Sequence, residues 1–141
     1  MAENANFLLA RFREMVKTFS VVLVTTNKAQ RLLYLGYIGR VTFQEMKRTR
    51  ENMAAVLEQL PVNVRILADF ERLESMDQCS STEVGKVMEM LDKKGVELAV
   101  RVMPDPSKDI GFNILATFHY RKKIRTITCK TMEEAAKELG L

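Results

Sequence analysis

The stretch VNVRILADFERLESMDQCSSTEVGKVMEMLDKKGVELAVRVM, residues 62–103, decides the fold. Its opening sets Val62, Val64, Ile66 and Ala68 against Asn63, Arg65 and Leu67, the two-residue period of a strand over 62–70. Ser80-Ser81-Thr82-Glu83 then has the spacing of a capping box, which predicts a helix with Ser80 as its N-cap. Val84, Val87, Met88 and Leu91 recur at helical spacing over 81–94, and Gly95 is placed to end the helix. Val96, Leu98, Val100 and Val102 alternate again as a strand. Strand, helix and strand in this order imply a right-handed crossover between two parallel strands.

Working outward, the same unit repeats. Pro61 closes a helix over 43–60 that Thr42-Phe43-Gln44-Glu45, a second capping box, opens. Its stripe Phe43, Met46, Met53, Leu57 and Leu60 follows a heptad, with Arg50 at the missing step. An arginine there either snorkels to the edge or aims its guanidinium at an acid or a bound anion. Upstream, SVVLVTT (20–26) and RLLYLGYIG (31–39) read as an antiparallel pair joined across Asn27–Gln30. Before them, Leu8, Phe12, Met15 and Phe19 predict an amphipathic leading helix. Downstream, Met103–Ser107 breaks the strand, and Asp109 can cap a helix that uses Ile110, Ile114, Leu115 and Phe118. Ile124–Cys129 is a last strand, and Thr131-Met132-Glu133-Glu134 opens the closing helix. The expected architecture is α/β: a single-layer, mixed, mostly parallel sheet of about five strands with helices packed against it. Residues 1–19 form the leading helix and residues 20–141 the one domain.

The chemical inventory is sparse. Among 141 residues there is one histidine, His119, and two cysteines, Cys79 and Cys129, fifty positions apart. A zinc finger, a CxxC redox pair and a disulfide scaffold all lack their ligands or spacing. Free thiols suit a reducing cytoplasm. The start, MAENANFLLARFREM, has no basic region ahead of its short apolar run, and no run approaches the ~18 apolar residues of a membrane span. Gly36 and Gly39 lack the spacing of a phosphate-binding loop. No catalytic group, cofactor or metal is expected.

Charge is uneven. The net charge is +4, and residues 1–70 carry ten basic and six acidic side chains. Basic clusters fall at Lys47, Arg48 and Arg50 and at Arg121, Lys122, Lys123 and Arg125. Neither has interleaved aromatics, which argues against nucleic acid. Asp69, Glu71, Glu74, Asp77 and Glu83 flank the 71–83 loop with Arg72 alone against them, a rim suited to a basic-surfaced protein partner.

Three segments carry a resemblance: GRVTFQEMKRTRENM (39–53), ILADFERLESMD (66–77) and RTITCKTMEEAAKELG (125–140). From residue 20 onward the chain resembles the STAS superfamily, in particular its SpoIIAA-like branch, a relative of the CRAL-TRIO lipid-binding fold. In anti-sigma factor antagonists of that family an Asp-Ser-Ser-Gly loop carries a phosphorylated second serine. Laid on this chain, that pattern falls on Asp77, Gln78, Cys79 and Ser80, so a thiol stands at the phosphoacceptor position. Ser80 and Ser81 are displaced candidates.

The resemblance implies a non-enzymatic, bacterial regulatory domain that acts by protein–protein interaction. Glu71, Glu74, Asp77, Cys79, Ser80 and Ser81 are the candidate partner-binding residues. The leading helix offers a docking or homodimerisation element. The CRAL-TRIO kinship implies an alternative, a carrier or sensor of a small lipid-like ligand held between helices 43–60 and 110–120. Arg50 or the 121–125 cluster would then meet its head group, and methionines such as Met46, Met53, Met76, Met88 and Met103 would help to line the site.

Overall fold

The computed structural model describes residues 21–107, 111, 115, 119–120 and 124–141. The leading helix, the Asp109 cap and Arg121–Lys123 lie outside the described residues. β1 (Val21–Asn27) and β2 (Leu32–Val41) pair antiparallel, with Val24 opposite Leu35. α1 (Phe43–Glu58) crosses to β3 (Arg65–Asp69), which lies parallel to β2. β4 (Leu73–Met76) returns to β2, and α2 (Ser80–Lys94) crosses to β5 (Leu98–Val102). β6 (Arg125–Cys129) and α3 (Met132–Leu139) follow. The main sheet runs β1-β2-β3-β5-β6, parallel except at β1, with β4 paired to β2 off that path.

The parallel crossovers explain the burial. Leu33, Leu35 and Tyr37 of β2 face α1 and α2 and meet Met46, Met53, Leu57, Val84, Val87, Met88 and Leu91. On the opposite face Leu32, Leu67, Val100 and Val102 pack with Ala135 and Leu139 of α3. A parallel strand covered on both faces reads as a continuous apolar run, so Leu67 belongs inside although alternation placed it with the polar residues. The strand also begins later than 62: Asn63 has φ +67 and Val62 is 67% exposed.

At two of the expected capping boxes the threonine forms its N-cap bond, while the glutamate carboxylates turn to Arg48 and to the Lys130 N–H. Thr42 and Thr131 are extended, and their hydroxyls accept the backbone N–H of Glu45 and Glu134. Gly95 ends α2 in the left-handed region at φ +88. Ser80 departs from expectation. Residue 79 is already helical, so Ser80 is the first residue of α2 rather than its cap, and it is fully buried. The helix after β5 also starts earlier than Asp109. Pro106 and Ser107 are already helical, and the Asp105 carboxylate accepts the N–H and hydroxyl of Ser107. Pro106 at the first helical position needs no hydrogen-bond acceptor.

The sixth strand is the main correction to the expected sheet. β4 occupies part of what the sequence presents as an acidic loop. β2 pairs with β3 as far as Gly36 and takes β4 as its partner from Gly39, which has φ +71. The register shifts within this second ladder between Gly39 and Arg40, where β4 carries the extra residue Glu74, and the Asp77 N–H donates to the Val41 carbonyl.

His119 packs across α2 at Gly85 and its Nδ1 lies 2.8 Å from Glu89 Oε1. A Cβ on residue 85 would stand 2.5 Å from His119 Nε2, so glycine makes this approach possible. Gly85→Ala is expected to force the His119 imidazole aside and to lower stability in chemical denaturation by less than the ~1–3 kcal/mol of an overpacked methyl, because alanine gains about 1 kcal/mol over glycine inside a helix. His119→Ala in the same chain should recover most of that loss; purely additive costs would show that the two residues do not meet.

Candidate functional site

The turn between β4 and α2 stands on a fixed base. Backbone bonds run from Asp77 N to Val41 O, from Ser80 N to Asp77 O and from Ser81 N to Gln78 O. Ser81 Oγ donates to the Gln78 carbonyl at 2.9 Å. Arg40, at the register shift, donates from Nε and Nη2 to Asp77 Oδ1 at 3.3 and 3.2 Å. These contacts hold the turn while leaving Gln78, Cys79, Ser81 and Thr82 exposed.

The six candidate partner-binding residues therefore fall into distinct environments. Glu71 and Glu74 are exposed beside β4, Asp77 is half-buried against Arg40, and Cys79 and Ser81 lie at the surface. Ser80 is buried, and its Oγ has no hydrogen-bond partner among the described residues. Its hydroxyl cannot be offered to a partner in this conformation. Cys79, at the end of the turn, makes no side-chain cap bond.

The acidic rim is less negative in space than along the chain. Glu83 is 4% exposed, and it draws Arg50 Nε from α1 and Lys86 Nζ from its own helix. Burial works to raise the Glu83 pKa, but the hydrogen bond and charge of Arg50, with help from Lys86, hold it below the ordinary carboxylate value. Asp69 is buried as well. It accepts the Tyr34 hydroxyl at 2.7 Å and the Glu71 N–H at 3.0 Å, fixing the turn from β3 into β4. Burial first, then Asp69, raise the Tyr34 pKa. The tyrosine ring lies over Gly36, where a Cβ would stand 2.7 Å from its hydroxyl oxygen. Asp77 and Glu83 are thus neutralised by Arg40, Arg50 and Lys86 from β2, α1 and α2.

Arg50 accordingly serves the junction between α1 and α2. The cavity beneath α2, lined by Leu35, Tyr37, Met88, Arg101 and Tyr120 among others, has a volume of about 30 Å³. That holds a water or two, whereas ligand sites take ~300–1,000 Å³. Burial pushes the Tyr120 pKa up to about 12, with Arg101 opposing. Cys129 is buried and its thiol is raised, chiefly by desolvation. Among the described residues, no group of three or more His, Cys, Asp and Glu side chains could hold a metal, and no helix is long and apolar enough to cross a membrane.

A larger groove lies on the other flank of α1. It measures about 430 Å³ and runs between β1 and α1, lined by Val21, Val22, Val24, Glu45, Arg48, Thr49, Asn52, Met53 and Val56. The heptad reading of α1 did not single out this flank, because it combines apolar and polar residues.

No protein-family model and no curated protein sequence matches the chain. Solved structures do match. An uncharacterised protein of the DUF3478 family with a SpoIIAA-like fold, from Shewanella loihica, aligns with a TM-score of 0.68 at 10% identity, covering 86% of this chain and 96% of that one. The Bacillus cell fate determinant SpoIIAA in its phosphorylated form gives a TM-score of 0.58 at 18% identity, covering 84% and 99%. An anti-sigma factor antagonist from Mycobacterium paratuberculosis gives 0.57 at 14% identity, covering 87% and 96%. The fold is STAS/SpoIIAA-like.

The Glu83 environment has a measurable consequence. Because its folded pKa lies below the unfolded one, the ion pair adds stability above the unfolded value and loses it as pH falls through the folded value. The melting temperature should drop on acidification below the ordinary carboxylate range, and Glu83→Gln should flatten that part of the profile. Identical slopes in the two proteins would refute the assignment.

Proposed function

We propose that the chain is a non-enzymatic regulatory domain that binds another protein through the β4–α2 turn and the adjoining acidic edge. One observation carries this reading. The turn is held by the backbone bonds of Asp77 to Val41 and of the buried Ser80 to Asp77, with Arg40 pairing to Asp77 at the surface, yet it presents Gln78, Cys79, Ser81 and Thr82 to solvent. A preformed surface of this kind loses little conformational freedom on binding. The likeness in fold to anti-sigma factor antagonists supports a protein as the ligand.

Glu71 and Glu74 extend the exposed turn along β4 and favour a partner with a basic surface. The fold likeness extends to SpoIIAA in its phosphorylated form. In this chain the residue that the family pattern places at the phosphoacceptor position is Cys79, which cannot take that modification. Ser80 is buried, so of the displaced candidates Ser81 is the one that this conformation exposes. The lipid-carrier alternative gains no support at the place expected for it, where the described space beneath α2 is water-sized and Arg50 is engaged by Glu83.

A photo-cross-linking residue at Gln78, in otherwise intact protein, should trap a partner that the same label at exposed Glu97 does not. With that partner purified, Glu71→Lys should raise Kd several-fold, as loss of charge complementarity predicts, without lowering the melting temperature. An unchanged Kd, or equal trapping from Glu97, would reject the site.

A further inference from the structure

β5, between β3 and β6, carries a buried arginine. Arg101 is 3% exposed, and the strand alternates so that Ala99 and Arg101 lie on the α2 side while Val100 and Val102 pack toward α3. Arg101 therefore borders the cavity beneath α2. Apolar side chains such as Leu35, Val87 and Met88 supply most of its wall, and two tyrosines, Tyr37 and Tyr120, complete the polar part.

Both phenol hydroxyls are left over. Tyr37 is 4% exposed, with its ring stacked on Phe70. Among the described residues neither its hydroxyl nor that of Tyr120 makes a hydrogen bond. A buried hydroxyl without a partner costs free energy, so native structures ordinarily supply one. Burial raises the pKa of both, that of Tyr120 to about 12, and each hydroxyl keeps its proton as a donor.

Charge selects the guest. Arg101 favours negative charge at both tyrosines. The buried Asp92 of α2 works the other way at Tyr120, which leaves the Tyr37 end of the cavity the more positive. Arg101 has contacts of its own, so what it brings here is its charge. Two proton donors beside a buried cation suit a guest that only accepts. A water would have to point its own protons into a wall that is mostly apolar. The volume of about 30 Å³ admits a single monatomic anion and excludes a bulky one.

We propose that the cavity beneath α2 binds one chloride-sized monovalent anion, held by the hydroxyls of Tyr37 and Tyr120 in the field of Arg101. The anion links β2 to β5 and gives both hydroxyls the acceptor they lack.

The stability of the full chain in mixtures of potassium chloride and potassium gluconate tests this site. Gluconate is too large for the cavity, so the mixtures vary chloride at one fixed ionic strength. Once chloride exceeds its Kd, the folded-to-unfolded ratio should rise tenfold for each tenfold rise in chloride, as one site on the folded chain requires. Tyr37→Phe keeps the ring on Phe70 and removes only the hydroxyl. It and Tyr120→Phe should each need ~10-fold or more chloride for the same gain, the loss of one hydrogen bond to a charged group. In gluconate alone Tyr37→Phe should be no less stable than the parent, because it removes an unpaired buried hydroxyl. Tyr34→Phe is the control, since the Tyr34 hydroxyl meets Asp69 outside the cavity, and it should keep the parent's chloride dependence. Stability indifferent to chloride would mean that water alone fills the cavity and would overturn the proposal. A chloride dependence unchanged in Tyr37→Phe and Tyr120→Phe, or lost in Tyr34→Phe, would overturn it equally.

Discussion

β2 is the strand on which the other elements depend. It pairs with β1 antiparallel, with β3 in parallel over its first half, and with β4 in parallel from Gly39. One strand can serve three partners because β1 takes one edge, while on the other edge β3 pairs as far as Gly36 and β4 from Gly39. The β4 pairing sets Arg40 beside Asp77 and gives the Asp77 N–H a carbonyl at Val41. The entry to α2, and with it the candidate binding surface, is therefore positioned by a change of pairing inside β2. Leu33, Leu35 and Tyr37 anchor that strand beneath the helices, with Tyr37 stacked on Phe70 at a centroid distance of 4.6 Å. Displacing β2 would disturb both the core and the turn.

The order of elements was legible in the sequence because local signals carried it. Thr42 and Thr131 cap their helices through residues three positions away, and Gly95 ends α2 through its own backbone freedom. β4 was hidden because LESM is short and its middle residues, Glu74 and Ser75, are exposed. Its strand character comes from a partner more than thirty residues upstream. Ser80 shows the same limit. Its spacing from Glu83 fits a capping box, but the incoming turn is helical at Cys79 and Glu83 is drawn away by Arg50. Tertiary pairing outweighed a local motif worth about 1 kcal/mol.

The candidate site was legible as a location and not as an electrostatic environment. Counting acids from 69 to 83 gives a strongly negative loop, and the chain does place Glu71 and Glu74 on the surface there. Asp77 and Glu83 are paired with Arg40 and Arg50, which belong to β2 and α1, and Asp69 is buried against the Tyr34 hydroxyl. The break in the heptad at Arg50 marked an unusual arginine, but its partner lies on a different helix, 33 positions along the chain. A crossover fold brings such residues together only once both helices pack on the same sheet face.

That pair also defines how α1 and α2 act on the surface. A buried carboxylate with an arginine carries a desolvation cost that its mutual attraction largely offsets, so its main effect is to select one alignment of the two helices. Glu83 lies on the first turn of α2, directly after the exposed turn, while Arg50 lies midway along α1. Sliding either helix would separate the charges and leave Glu83 buried without its guanidinium. The pair thus ties the geometry of the turn to α1, whose other flank lines the groove beside β1.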